Sequence, residues 1–114
     1  MNARDRAYLQ DMLDAATEAL GYVQGRTRHY YDQNREAVRA LTMVVGIIGE
    51  AASQLTDETK QTYQDIPWRE IIGMRNRMYH GYRVINFDVV WETATQELVP
   101  LIARLREILD ALPP

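Results

Sequence analysis

The 114-residue chain has no cysteine. That excludes disulfides, thiolate metal sites and a cysteine nucleophile, and it fits a reducing compartment. Histidine is scarce as well: His29 and His80 are the two present, 51 positions apart, too few and too distant to suggest a metal centre. Proline occurs only at positions 67, 100, 113 and 114, so it interrupts little of the chain. No apolar run approaches the roughly 20 residues that a membrane span requires. The opening MNARDRAYLQDMLD is charged and amphipathic and does not read as a signal peptide. Basic charge is not in excess, because 13 Lys and Arg stand against 16 Asp and Glu for a net −3. A protein that holds nucleic acid by charge alone is usually basic. These absences lead to one expected domain over residues 1–114, a cytoplasmic location, no membrane association, no DNA partner, no metal and no cofactor.

Local charge is a different matter. Between Arg69 and Arg83 four arginines face one glutamate, a balance of +3. Apolar residues meanwhile recur at helical spacing almost throughout. Leu9, Leu13, Ala16, Leu20 and Val23 step by 4, 3, 4 and 3, which predicts a helix from about Ala3 to Gln24, broken by Gly25. GRTRHYYD then reads as a loop. Its Arg26, Arg28 and His29 lie among Tyr30 and Tyr31, a composition that can stack and hold single-stranded RNA. The favoured alternative is a solvated loop whose tyrosines cover the bundle end.

Val38, Leu41, Val45, Ile48, Ala52 and Leu55 predict a second helix from about Gln33 to Leu55. Gly46 and Gly49 inside it should each cost about 1 kcal/mol relative to alanine, a cost that close helix–helix approach would offset. TDETKQTYQD predicts a short helix or turn with Thr56 as N-cap. Pro67 suits the first turn of a helix reaching about Tyr79, which Gly81 ends or kinks. Asn86 is the expected N-cap of the last helix, with Asp88 in its first turn. Ala94, Leu98, Leu101, Leu105, Ile108 and Leu112 carry that stripe in phase past Pro100, where a kink is expected. The Met43, Met74 and Met78 side chains read as core filler, and Trp68 and Trp91 as core or interface residues. The fold class is therefore all-α: an antiparallel four-helix bundle with an extra short helix, regular enough to pair as a symmetric homodimer.

Chemistry concentrates in RNRMYHGY, Arg75 to Tyr82. Arg75 and His80 are five residues apart, about 140° from eclipsed on an ideal helix. They would meet only if the helix breaks near Gly81, or if each meets its counterpart across a two-fold axis. An imidazole can move the protons of RNA cleavage, taking one from a ribose 2′-hydroxyl or giving one to the leaving 5′-oxygen. A guanidinium supplies a fixed charge and a donor fork for phosphate, and Asn76 can orient either partner. Each copy of the motif has one histidine, so a dimer would supply two. Arg77 and Arg83 are candidate RNA contacts or solvated charges. Glu50, an acid in the apolar run IIGEAA, is a candidate partner that orients Arg75.

RNRMYHGY resembles the HEPN signature, and Tyr82 two residues after the histidine resembles its HepT branch, the toxin half of HepT/MntA toxin–antitoxin pairs. IIGEAASQL, IPWREIIGMRNRMYHGY and the opening DRAYLQDMLDA resemble that branch too, so the likeness spans nearly the whole chain. It implies a HEPN-like helical bundle whose two motifs meet in a cleft of a homodimer. It also implies metal-independent ribonuclease action on RNA, with tRNA one candidate. Arg75 and His80 match the catalytic pair, and Asn76 the polar position between them. Tyr82 matches the tyrosine to which a nucleotidyltransferase antitoxin attaches AMP. The competing expectation is a non-catalytic HEPN subunit that presents a nucleotide or substrate to such a nucleotidyltransferase.

Overall fold

The computed structural model describes residues 1–81 and 84–114. It is all-helical, with a single isolated antiparallel bridge between Tyr79 and Ile85 among the described residues. The helices are α1 (Ala3–Val23), α2 (Arg28–Asp32), α3 (Arg35–Ser53), α4 (Asp57–Thr62), α5 (Trp68–Arg77), α6 (Phe87–Glu92) and α7 (Leu98–Ala111). A π-helical turn, Thr93–Glu97, joins α6 to α7 without a break. Four long rods result: α1, α3, α5 and the α6–α7 unit. Helix α1 packs against α3 and α7, and α3 packs against α5.

The core follows the apolar stripes. Leu9, Met12 and Ala16 of α1 meet Leu41, Val45 and Ile48 of α3 and Leu98 and Leu105 of the last rod, all close to fully buried. Burying a side chain of leucine size is worth about 1.5–3 kcal/mol, so this one cluster carries much of the driving force. Asn2 caps α1 and Asn34 caps α3 through their side-chain oxygens. Thr56 caps α4 as its residue type suggests.

Four expectations need correction. GRTRHYYD is not simply a loop, because Thr27 accepts from the Tyr30 N–H and starts the one-turn helix α2. Tyr31 of α2 is buried and plugs the bundle end against Phe87 and Trp91, with ring centroids 5.4 and 5.3 Å away. Asn86 stands at the N-cap position of α6, but its side chain makes no capping bond. Met43 is no core filler: it is 69% exposed, whereas Met74 and Met78 are buried. Helix α5 ends at Arg77, before Tyr79.

Pro100 neither ends the last helix nor stands in a regular one. Its missing N–H and its ring disturb the preceding turn. The wider π turn just upstream takes up that mismatch, while Thr93 and Thr95 bond back to the carbonyls of Val89 and Trp91.

The seam between α3 and α5 positions the motif. A Cβ on Gly49 would stand 2.8 Å from the Ile71 carbonyl oxygen, and one on Gly46 3.4 Å from Met78 Cε. Gly49 is thus glycine because the backbone of α5 lies directly against it. That contact fixes the height at which α5 carries its last turn past Glu50.

Candidate active site

Arg75 lies in the last turn of α5 and points back across the seam to α3. Its Nη1 donates to Glu50 Oε2 at 3.1 Å, with both side chains largely exposed. The pair stands at one end of a groove of about 410 Å³ between α3 and α5. The buried Thr42 and Met78 line it together with Gly46, Met43, Ile47, Tyr79, Ile85 and Arg39. Arg39 is a groove residue that the motif could not reveal. The signal was available on α3: residues 39, 43, 46, 47 and 50 share the face opposite the Leu41, Val45 and Ile48 stripe.

Beyond Arg77 the chain leaves the helix. The Met78 N–H still bonds to the Met74 carbonyl as a C-cap. Tyr79 then pairs with Ile85, the His80 N–H donates to the Val84 carbonyl at 2.6 Å, and the Asn86 N–H donates to the Met78 carbonyl at 2.6 Å. Gly81 has φ +80°, which a residue with a side chain rarely adopts. His80 is therefore held by its backbone on a short non-helical arm. Its ring is exposed and has no hydrogen-bond partner among the described residues. The ideal-helix angle between Arg75 and His80 no longer applies, since the helix stops three residues before the histidine. Within one chain no hydrogen bond joins the two side chains among the described residues, and His80 does not line the groove.

Asn76 is exposed on the outer side of α5. Arg77 faces away from Arg75: its Nη2 donates to the Glu70 carbonyl at 3.1 Å, beside a different cavity. That cavity, about 540 Å³, separates α5 from the last rod and has an apolar lining that includes Ile66, Ile71 and Leu101. Asp65 and Arg104 close one side of it through a two-pronged ion pair of 2.6 and 3.1 Å. The Arg104 guanidinium holds the Asp65 carboxyl below its ordinary range. Tyr82 and Arg83 lie outside the described residues.

The aromatic corner divides its residues differently. Arg28 is committed to Asp88 at 2.8 Å and Asp32 at 3.2 Å. Arg26 lies over the Tyr30 ring, 4.5 Å from its centroid. Tyr31 donates its hydroxyl to the Tyr22 carbonyl, and burial raises its pKa. This corner closes the bundle end. Among the described residues no three His, Asp or Glu side chains are grouped to hold a metal ion, and no helix is long and apolar enough to cross a membrane.

Known proteins resemble most of the chain in sequence. A family model described as "Ribonuclease HepT-like" matches residues 12–108. A "Putative RNase" of Caldanaerobacter subterraneus subsp. tengcongensis is 32% identical over 105 residues, covering 92% of this chain and 94% of the relative. A "Putative RNase" of Methanocaldococcus jannaschii is 27% identical over 110 residues, covering 96% of this chain and all of the relative. A "Probable ribonuclease HepT" of Thermococcus cleftensis is 25% identical over 103 residues, covering 87% of this chain and 94% of the relative. No solved structure matches the chain.

Proposed function

Because the chain belongs to the HepT-like ribonuclease family, we propose that it is an RNA-cleaving enzyme, the toxin half of a toxin–antitoxin pair, with its active site completed by a second copy of itself. One observation carries the reading: Arg75 is tied by Glu50 at an exposed groove, five residues before an exposed histidine on a non-helical arm. A carboxylate that holds an arginine while leaving it accessible presets the donor fork for phosphate.

His80 is the proton-transfer group. As the ribose 2′-oxygen attacks phosphorus, one imidazole takes the hydroxyl proton. The bond from phosphorus to the 5′-oxygen breaks, and the partner's His80 gives that oxygen a proton. The products are a cyclic phosphate and a 5′-hydroxyl. Arg75 bears on the phosphate as its charge shifts, and Asn76 orients the strand. This chemistry requires no metal, so cleavage should continue in a chelator.

Two histidines imply two copies. The exposed Met43 (69%) and Ile47 (40%), one turn apart on α3 beside the groove, supply an apolar contact for a second copy, with the two motifs brought towards one cleft. Tyr82 is assigned as the AMP acceptor on sequence resemblance alone. Adenylate beside the cleft would add negative charge where RNA phosphate must lie, which is a physical route to inhibition by a nucleotidyltransferase antitoxin.

The test is RNA cleavage and intact mass on one preparation, made with and without the nucleotidyltransferase partner. Protein made alone should cleave RNA in a chelator. His80→Ala should remain folded and lose at least about a hundredfold in rate. Co-produced protein should gain adenylate and lose activity. A folded dimer that cleaves no RNA would instead favour the non-catalytic subunit that presents a nucleotide or substrate to its partner.

A further inference from the structure

The groove carries a second arginine that the proposed chemistry does not use. We infer that Arg39 and Tyr79 form a subsite for a nucleotide flanking the cleaved bond, with Arg39 gripping its phosphate and Tyr79 stacking its base. The inference rests on the RNase reading for its position relative to the scissile phosphate, but its binding test does not depend on cleavage.

Arg39 on α3 and Arg75 on α5 both line the groove. Helix α3 fixes their separation. Glu50, which marks the position of Arg75, lies eleven residues beyond Arg39, about 16 Å along the axis and within roughly 20° of the same face. With backbone positions that far apart along the groove, the two long side chains suit different phosphates of one strand. The arginines also differ in commitment. Arg28, Arg75 and Arg104 each hold a carboxylate, whereas Arg39 makes no ion pair among the described residues and is exposed. A solvated arginine with nothing to hold is common on a helix; one that lines the same groove as a preset phosphate ligand is placed for a strand.

Between the two arginines the surface suits a base rather than a second phosphate. Tyr79 is half-buried, lines the groove and immediately precedes His80. Its backbone pairs with that of Ile85 in an antiparallel bridge. Ile85 adds apolar surface beside it, and Gly46 brings no side chain into the groove. An aromatic ring stacks on any base, and a guanidinium nearby takes the phosphate, which is the usual pairing for single-stranded nucleic acid.

The experiment measures binding in a non-cleaving background, using fluorescein-labelled uridine oligonucleotides on His80→Ala protein by anisotropy, with mass by light scattering. A dinucleotide and an octanucleotide are compared with and without Arg39→Ala, and separately with Tyr79→Ala and Tyr79→Phe. Arg39→Ala should weaken octanucleotide binding about tenfold, as loss of a charged hydrogen bond does, and lower the salt slope by about one, with little change for the dinucleotide. Tyr79→Phe should bind like the parent, and Tyr79→Ala should lose about tenfold. Equal losses at both lengths, no loss at all, or no RNA binding by the parent would overturn the subsite. So would a fall in mass with Arg39→Ala, which would assign the residue to self-association. Absence of cleavage in the native protein alongside length-dependent binding would defeat the RNase reading and leave the subsite standing.

Discussion

Asp5 and Glu50 are both acids on long helices, and each ties its helix to another element, yet their surroundings are opposite. Asp5 is fully buried at the start of α1. It accepts from the Thr56 N–H, the Thr56 hydroxyl and the Thr59 hydroxyl, all neutral donors. Glu50 is exposed and accepts from a charged arginine that is exposed with it. The first contact is saturated, with its carboxylate shielded from water, so it joins α1 to the α4 cap and nothing else. The second is open and charged, so it can orient a group without consuming it. Burial and charge together separate a closed anchor from an open ion pair, where residue type alone does not.

The difference should be largest in stability. Asp5→Ala strands the buried Thr59 hydroxyl, takes the acceptor from the two part-buried Thr56 donors and should cost about 2–3 kcal/mol in chemical unfolding. Burial alone would raise the Asp5 pKa, but the hydrogen bonds from Thr56 and Thr59 outweigh it and hold the carboxyl below its ordinary 3.8. A depressed folded-state pKa contributes stability that is present above the unfolded value. It is lost as pH falls through the folded one. The wild-type melting temperature should therefore drop more steeply below about pH 4 than that of Asp5→Asn. Parallel acid limbs would remove Asp5 as the anchor.

Gly49→Ala comes next and tests the seam that gives Glu50 its reach. Alanine gains about 1 kcal/mol of helix propensity. Its Cβ would meet a backbone carbonyl, which cannot turn aside as a flexible side chain could. Overpacking of about 1–3 kcal/mol should prevail, leaving a net loss of up to about 2 kcal/mol together with reduced RNA cleavage as α5 is pushed away. Raised stability would show that the seam gives way.

The smallest expected change in stability is that of Glu50→Gln, below about 1 kcal/mol, because exposed ion pairs contribute little. Cleavage should nevertheless fall several-fold as Arg75 loses its brace. A stability loss matching that of Asp5→Ala would erase the contrast between the two acids.

Much of this architecture was legible in the chain. The stripes of α1, α3 and α7 are long enough for periodicity to average out exceptions, and Gly49 declared a close approach before any partner was known. Helix α2 was not legible because five residues are too few for a stripe; only Thr27, a capping residue three positions before the Tyr30 N–H it receives, marked it. Met43 misled because methionine reads as filler wherever it falls. Its angle on α3, away from Leu41 and Val45, was the better guide. The π turn has no residue signature of its own beyond the proline that follows it. The motif announced Arg75 and His80 as a pair, but their relation depended on where α5 ends, and helix ends are set by capping contacts that periodicity does not register.

Helix α5 is fastened along one edge. It lies hard against α3 at Gly49, yet a cavity of about 540 Å³ separates it from the last rod. Mechanically it is a leaf hinged on its spine, stiff against sliding along the seam and compliant to rocking about it. Rocking would swing Arg75 through an arc while barely altering its height against Glu50, so the free edge gives the arginine lateral play that a fully enclosed helix would deny it.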